Sequence, residues 1–494
     1  MPPQRSGAAD GDALTAEMAR SFSFERLPPD FHDDPYPYYA ALREHDPVHR
    51  LDAGKILVSR YADVERIYKD PKVFSSDKTV EFGAKYGASP LYEHHTTSLV
   101  FNDPPLHTRV RRLLAGALNP RAIAGMEDGV VRLVDGLLDA AEEKPEIDLI
   151  DDFAAAIPVE VIGNLLDVPR GERGPLRGWS LAILGALEPC PSAERLIDGN
   201  RAVVDFLAYL ETLVAERRRR PGDPDKDLLT RLIEGEASGE RLSETELLQN
   251  CIFILNAGHE TTTNLIGNGL RLLIEWREAR RRLIAEPDLI RSGVEEMLRF
   301  ESSNQLGNRI ATADFELCGQ AFPAGTQITF CIGGANRDPA QFPEPDRFDV
   351  ARQPNRHLAF ATGIHQCIGM NVARLEGRVA IGRFLARFPD YEPAGPPVRG
   401  RRVRFRGFGS LPARLRSDGV IPGLREAESP EPINTGGAER APPAQHQGVW
   451  FPGSRFARPG MTGSKPRSRP ELGRAPSRPA PPRRGPRRCA AAAL

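Results

Sequence analysis

Apolar residues recur at intervals of three and four through most of the first 415 positions, a pattern typical of amphipathic helices. Two shorter regions, 55–59 and 316–332, combine apolar pairs with turn residues and predict small amounts of β-structure. The stretch 337–349 contains three prolines, which predicts an irregular connection. The segments with helical periodicity are 105–118, 126–142, 151–166, 195–219, 243–277, 289–301 and 369–388. The pattern therefore predicts a mainly α fold with small β-sheets.

Domain organisation follows from where this pattern is interrupted. Residues 21–415 contain no Gly/Ser/Pro-rich linker and no internal repeat, which predicts one large domain. A helical domain of about 400 residues exceeds the usual size of one hydrophobic core, so we expect a large buried cofactor at its centre. Residues 1–20 are small and polar, and we expect disorder there. Residues 416–494 are expected to form a disordered, basic, Pro/Arg-rich tail, with electrostatic contact to nucleic acid or anionic lipid as the alternative.

Charge and cysteine usage narrow the class of protein. The net charge is −1, but residues 440–494 carry twelve Lys or Arg and one Glu, which leaves −12 on residues 1–439. An acidic domain is a poor candidate for nucleic-acid binding, and no window approaches eighteen uninterrupted apolar residues, so no membrane span is expected. The six cysteines include no CxxC pair, and the first thirty residues lack the apolar run of a signal peptide. We expect a cytoplasmic protein without a disulfide framework.

A single cysteine lies between two glycines, directly before the helix predicted at 369–388. In the segment Phe360–Gly369, Cys367 would face the free backbone N–H groups and the positive dipole end of that helix, and both favour the thiolate. Gly363 would let the backbone approach a flat ligand closely. A buried structural cysteine is the alternative. Zinc is a weaker candidate, because His365 and Cys367 have no second Cys/His pair nearby.

The longest predicted helix, 243–277, begins with a capping box and has an unusual centre. A glycine and a run of threonines weaken the helix there, so we expect a kink or widened turn that directs Glu260 and Thr261 into a ligand space. The pair His259-Glu260 begins like a zinc-protease motif, but Thr263 stands where the second histidine is required. The alternative for the threonines is a hydrogen bond to the carbonyl four residues earlier.

Taken together, these segments resemble the cytochrome P450 family, most closely its soluble bacterial type. Phe360–Gly369 resembles the haem-binding loop, and Ala257–Thr262 resembles the oxygen-activation motif. Glu296–Arg299 matches the ExxR pair, and Arg347 matches the arginine that completes a structural triad with it. The order and separation of the motifs also agree, over roughly residues 20–415. The resemblance implies the cytochrome P450 fold, a single large haem-centred domain.

The resemblance also implies which residues bind haem b, the expected cofactor. Cys367 would be the axial thiolate ligand of the haem iron. Glu260 and Thr261 would be the acid and the alcohol that supply protons to dioxygen. Buried haem propionates need polar partners. The expected propionate contacts are His107, Arg111, Arg309 and His365. For His107 and Arg111, the alternative is the solvated face of a basic helix.

The function implied by the resemblance is a haem-thiolate monooxygenase, which inserts one oxygen atom from O₂ into an apolar organic substrate by hydroxylation or epoxidation. Electrons would come from NAD(P)H through a separate reductase and a ferredoxin-type donor, because the chain has no flavin or iron–sulfur segment. We expect the substrate pocket near 82–101 and 176–187, and a donor-docking patch at Arg109 and Arg112. A peroxide-driven peroxygenase and a non-catalytic haem-binding sensor or carrier are the alternatives, and the Glu–Thr pair argues against both.

Overall fold

The computed structural model describes residues 6–52, 54–224, 227–235 and 241–416. The expected basic tail falls almost entirely on residues 417–494, which lie outside the described residues. The same is true of residues 1–5, at the start of the segment for which we predicted disorder.

Helices make up most of the described chain. They are α1 (Ser6–Arg20), α2 (Tyr36–His45), α3 (Tyr61–Lys69), α4 (Thr79–Tyr86), α5 (Pro90–Thr97), α6 (Leu106–Ala117), α7 (Pro120–Glu142), α8 (Ala156–Leu165), α9 (Gly174–Gly185), α10 (Ala193–Arg219), α11 (Leu228–Glu234), α12 (Glu244–Glu275), α13 (Arg277–Ala285), α14 (Ile290–Phe300), α15 (Ile332–Ala335) and α16 (Met370–Arg387). A π-helical segment, Leu149–Ala154, precedes α8.

Short strands fill some of the connections between these helices. They are β1 (Val48–Asp52), β2 (Lys55–Val58), β3 (Phe74–Ser75), β4 (Glu146–Asp148), β5 (Leu306–Ala311), β6 (Phe315–Leu317), β7 (Gln320–Phe322), β8 (Gln327–Cys331), β9 (Glu392–Pro393), β10 (Val398–Arg399), β11 (Phe408–Ser410) and β12 (Pro412–Arg414). The main sheet has the order β1-β2-β8-β5-β3, in which β2 and β8 are parallel and the other neighbours antiparallel.

Side chains that cap the helices explain where the longest of them begin. The Asn119 side chain accepts hydrogen bonds from two backbone N–H groups at the start of α7, and the Ser192 side chain accepts one from the backbone N–H of Arg195 at the start of α10. At α12, Ser243 Oγ accepts from the backbone N–H of Glu246 at 3.2 Å, while Glu246 Oε2 accepts from the Ser243 N–H at 2.8 Å. The predicted capping box is therefore present, and it fixes the start of the central helix.

Helix α12 is the centre of the core. It is buried along most of its length between Leu247 and Leu273, and it packs against α8, α9, α10, α14 and α16. One apolar cluster lies on its C-terminal half, where Leu265 and Leu270 contact residues of α7, α14 and α16. A second lies on its N-terminal half, with α6, α9 and α10. The neighbouring helices on several sides of α12 therefore fix its position in the core.

The predicted elements agree closely with the structure, apart from the first residues. Each segment with helical periodicity contains a helix, and the region 316–332 contains β6, β7 and β8. The stretch 337–349 has no helix or strand, as its prolines predicted. Residues 6–20, for which the sequence predicted disorder, form helix α1, and Ala19 on it is fully buried. No described helix combines the length and the apolar composition needed to cross a membrane.

Candidate functional site

The loop before α16 holds Cys367 in a tightly constrained backbone. The Cys367 N–H donates to the Phe360 carbonyl at 2.8 Å, and the sulfur accepts a hydrogen bond from the Gly369 N–H. Gly363 has a φ of +72°, and a Cβ placed there would lie 2.4 Å from the backbone oxygen of Tyr68. Glycine is therefore required at this position by conformation and by space, and it brings the loop close to α3.

The protonation of Cys367 differs from the expectation drawn from helix position alone. Burial raises the pKa of the Cys367 thiol, and the Gly369 amide with Arg111 and Arg374 only partly offsets this effect. The loss of hydration on burial therefore raises the pKa of Cys367 more than the helix N-terminus lowers it. One amide and two nearby cations do not stabilise the thiolate as well as water does. Coordination to a metal deprotonates a thiol outright, so this environment suits a ligand sulfur rather than a free nucleophile.

The four residues expected at the propionates lie close together, and several of their polar atoms have no partner. The His107 and His365 rings are 4.2 Å apart between centroids. Both ring nitrogens of His107 and Nε2 of His365 are buried without a hydrogen bond within the described part of the chain. Arg309 is buried and donates to the carbonyl of Asn308, while Arg111 Nη2 donates to the Gln366 carbonyl at 2.7 Å. Buried groups without partners indicate that an external group completes the site.

One face of α12 is open where the rest of the helix is closed. Ala257 is exposed, and Phe253, Ile254, Gly258 and Thr261 are half-buried, at spacings that place all five on one side of the helix. Ile368, beside the cysteine, packs against the cluster that contains the N-terminal half of α12. The cysteine loop and the open face of α12 therefore border the same region of the protein.

The ExxR pair forms the most deeply buried ion pair of the region. Glu296 and Arg299 are both fully buried, and Arg299 donates to the two oxygens of Glu296 at 2.7 and 2.8 Å. Arg299 also donates to the carbonyls of Asn336 and Pro345, so it ties α14 to the irregular segment that precedes the cysteine loop.

The third arginine of this network is Arg352, and the prediction of Arg347 is wrong. Arg352 Nε donates to Glu296 Oε1 at 3.1 Å, and its side chain is 11% exposed. The Arg347 side chain instead pairs with Glu344 at the surface, and only its backbone carbonyl accepts from Arg299. The two arginines lie five residues apart in a segment without regular structure, so spacing alone could not choose between them.

Comparison with known proteins identifies the family. Residues 196–394 match the family model described as Cytochrome P450. The biotin biosynthesis cytochrome P450 of Bacillus subtilis (strain 168) is 34% identical over 394 residues, which cover 78% of this chain and 96% of that protein. The vitamin D(3) 25-hydroxylase of Pseudonocardia autotrophica is 38% identical over 368 residues, or 73% of this chain and 88% of that protein. The chain belongs to the cytochrome P450 family.

The structural neighbours agree with this assignment. The crystal structure of P450BioI in complex with an acyl carrier protein ligated to hexadec-9Z-enoic acid has a TM-score of 0.74 at 33% identity and covers 78% of this chain and 100% of that chain. CYP267B1, a myxobacterial cytochrome P450 solved in complex with myristic acid, has a TM-score of 0.73 at 35% identity, covering 79% and 99%. The predicted family, fold class and class of enzyme, a cytochrome P450 monooxygenase, are confirmed.

The residues of this chain fit a haem. A lone cysteine lies beside an open helix face, and the nearby histidines His107 and His365 have buried nitrogens without partners. Arg111 and Arg309 would supply two positive charges for two propionates. A cytochrome P450 haem needs a thiolate, an open distal face and partners for its propionates, and this chain offers a residue for each.

The oxygen-activation motif of this cytochrome P450 is built differently from our expectation. Helix α12 continues as an α-helix through its centre, so the widened turn is absent. Thr261 Oγ1 donates to the Ala257 carbonyl at 2.7 Å, the hydrogen bond we named as the alternative. Glu260 is buried and pairs with Arg402 at 2.7 Å. Burial raises the pKa of Glu260 to about 7, although Arg402 opposes the rise.

The predicted docking patch for an electron donor is only partly present. Arg112 is exposed, but Arg109 forms an ion pair with Glu246, in the first turn of α12. Because its charge is neutralised within the protein, Arg109 does not offer the free cation that the helical spacing suggested.

Sequence reasoning missed one charged group at this site and one buried carboxyl group on α16. Arg402 belongs to the run Arg402-Val-Arg-Phe-Arg406, whose alternation of charged and apolar residues was a usable signal for an extended, partly buried segment. Glu376, on α16, is buried with Oε2 unpartnered, and nothing in its neighbouring sequence marks it. Its burial depends on α12 and α14, which are distant in the chain.

Proposed function

We propose that this protein uses haem b, held by Cys367, to insert one oxygen atom from O₂ into an apolar organic substrate. The observation that carries the proposal is the pair of unpartnered buried histidines, His107 and His365, beside the constrained cysteine loop. The names of relatives favour the same reaction, since they include a hydroxylase and a cytochrome P450 monooxygenase.

Each residue around the haem would have a distinct task. Cys367 would ligate the iron, and the haem when bound would supply the reductive activation of O₂ that no side chain can perform. Arg111 and Arg309 would neutralise the propionates, and His107 and His365 would donate hydrogen bonds to them. Burial lowers the pKa of His107 to about 4, so it would act as a neutral donor rather than as a cation.

Glu260 and Thr261 would manage protons. A carboxyl group with a pKa near 7 both takes up and releases protons at physiological pH, which is the condition for efficient general acid catalysis. The Thr261 hydroxyl lies on the open face of α12, where rotation away from the Ala257 carbonyl would let it pass on a proton. A peroxide-driven peroxygenase has no need of such a pair, so the monooxygenase is favoured.

Electrons would come from NAD(P)H through a ferredoxin-type donor. A groove of about 630 Å³ beside the cysteine loop is lined by Arg291, Arg374 and Arg378, and the guanidinium of Arg374 lies 4.9 Å from the Phe360 ring centre. Within the protein, Arg374 pairs with Glu295 and Arg378 pairs with Glu127, so two of these three arginines are neutralised, and the surface that receives the donor stays a prediction. The cytoplasmic location expected from the sequence stays a prediction.

Replacement of Cys367 tests the proposal directly. The reduced carbon-monoxide complex of the wild type should show the red-shifted Soret band for which the family is named, and Cys367→Ser should lose it. Cys190→Ser, at an exposed cysteine, is the matched control and should keep the band. A band that persists in Cys367→Ser would show that another residue holds the iron. Substrate-dependent oxygen consumption with NADPH, a surrogate ferredoxin and its reductase then tests turnover.

A further inference from the structure

A second cavity, of about 910 Å³, lies between residues 20–26, the β1–β2 hairpin and the chain around Leu187. Its lining combines apolar side chains, among them Phe82 and Phe101, with the cations Lys85 and Arg404. Its volume lies in the range of small-molecule sites. The mixture of aromatic and cationic groups suggests a ligand that is apolar at one end and charged at the other.

Among the cations that line this cavity, Lys85 and Arg404 are half-buried, and neither has an acidic partner among the described residues. Lys85 Nζ donates to the backbone carbonyl of Glu188 at 2.7 Å. Arg404 donates to the carbonyls of Leu187 and Leu306 at 3.2 and 3.1 Å and to the amide oxygen of Asn308. Within the described ranges, neither side chain forms an ion pair with a carboxylate, and both are half-buried. All their acceptors are uncharged, so both side chains are hydrogen-bonded but neither positive charge is neutralised by a negative one.

The nearby acids do not remove this charge. Glu81 is paired with the buried Lys78 at 2.9 Å. Glu188 is buried, and its Oε2 accepts from the backbone N–H groups of Val403 and Arg404 at 2.8 and 3.2 Å. Across the lining as a whole, the cations outnumber the acids: the cations are Arg20, Arg26, Arg50, Lys55, Lys85 and Arg404, and the acids are Glu25, Asp52 and Glu81. In agreement, burial and the neighbouring Arg404 lower the pKa of Lys85 to about 8, and burial lowers the pKa of Arg404 as well.

We propose that this cavity binds the carboxylate of an amphipathic organic acid. Lys85 and Arg404 donate to the carboxylate, and the hydrocarbon part lies against Phe82, Phe101 and Leu187. The excess of cations over acids in the lining favours an anionic ligand. That the acid is the compound oxidised rests on the proposed function, whereas its binding does not require turnover.

Calorimetry on the holoenzyme near pH 7 measures this selectivity with two probes of equal chain length, decanoate and decanamide. We expect decanoate to bind about 10-fold to 100-fold more tightly, the usual contribution of hydrogen bonds to a charged group. Lys85→Met should lose this preference, because it keeps an unbranched, flexible side chain and removes the charge. Lys85→Arg should retain it, and Arg404→Lys should reduce it less than Lys85→Met does.

The control is Arg26→Gln, at an exposed arginine that lines the same cavity, and it should leave the preference unchanged. Lys85 is the main target because it makes a single hydrogen bond, whereas Arg404 joins three chain segments. Equal affinity of the wild type for both probes would overturn the proposal, and so would the absence of binding of either probe. An equal loss of affinity for decanoate and decanamide in Lys85→Met would overturn it as well. Failure of the proposed monooxygenase function would give a different result. The red-shifted Soret band of the reduced carbon-monoxide complex would be absent, while the protein would still bind decanoate more tightly than decanamide.

Discussion

Separate replacement of two neighbouring arginines by alanine tests the network of hydrogen bonds around Glu296. Arg352→Ala removes the guanidinium that donates to Glu296, and Arg347→Ala removes one that contacts only Glu344 at the surface. The two substitutions delete the same side chain from the same irregular segment. Any difference between them therefore reports the position of the guanidinium and not the residue type.

The structure sets the size of the difference. Arg352 is 11% exposed and donates to a carboxylate that is fully buried, an interaction of about 1.5–3 kcal/mol. The full cost of an unpaired buried charge does not apply, because Arg299 still binds Glu296 through two nitrogens. Arg347 is 61% exposed, and such surface pairs are worth about 0–1 kcal/mol. For a domain of about 400 residues, 1 kcal/mol shifts Tm by roughly 1 °C. We therefore expect a fall in Tm of about 2–4 °C for Arg352→Ala and at most about 1 °C for Arg347→Ala.

Differential scanning calorimetry of both holoproteins at one scan rate measures these shifts, and the ratio of haem to protein absorbance reports whether cofactor is retained. Arg352→Lys keeps a charge near Glu296 and should recover part of the loss. Equal destabilisation by Arg347→Ala and Arg352→Ala would refute the assignment of Arg352 to the network. A larger effect of Arg347→Ala would restore the interpretation drawn from the sequence.

Two further predictions concern single side chains on α12 and α16. Thr261→Ala should leave haem binding intact and lower the amount of product formed per NADPH, because the hydroxyl on the open face of α12 is lost. An unchanged ratio of product to NADPH would exclude the Thr261 hydroxyl from proton transfer. Glu376→Gln should become more stable relative to the wild type as pH rises. Burial raises the pKa of Glu376 to about 8, above its unfolded value, so between about pH 4.5 and 8 the unfolded wild type releases a proton that the folded protein retains, and wild-type stability falls as pH rises. Calorimetric Tm values across that range check the sign, and a constant difference would contradict it.

Local sequence was sufficient wherever a structural feature depends on adjacent residues. The capping box at Ser243 and the glycine at position 363 each act through neighbours within a few positions or through their own backbone angles. Cys367 could be selected because glycines and a following helix mark its environment directly in the sequence. The loop and helix α12 were therefore predictable before their contact was known.

The errors share a different physical cause. Arg109 pairs with Glu246, which is 137 residues away, and Arg352 rather than Arg347 reaches Glu296 because of the path of an irregular segment. The expected widening of α12 at Thr261 does not occur, because packing on both halves of the helix stabilises regular geometry more than the threonines weaken it. Periodicity carries no information on such long-range partners.

The extended run from Arg402 to Arg406 shows how one local pattern acquires its meaning only from distant acids. Arg402 pairs with Glu260 on α12, and Arg406 pairs with the buried Glu301. Arg404, between them, meets only uncharged acceptors and lines the second cavity. Three guanidinium groups spaced by two residues thus experience different electrostatic environments. Two charges are neutralised within the protein and one is left over, so the same segment that sets the acidity of Glu260 also gives the cavity its excess positive charge.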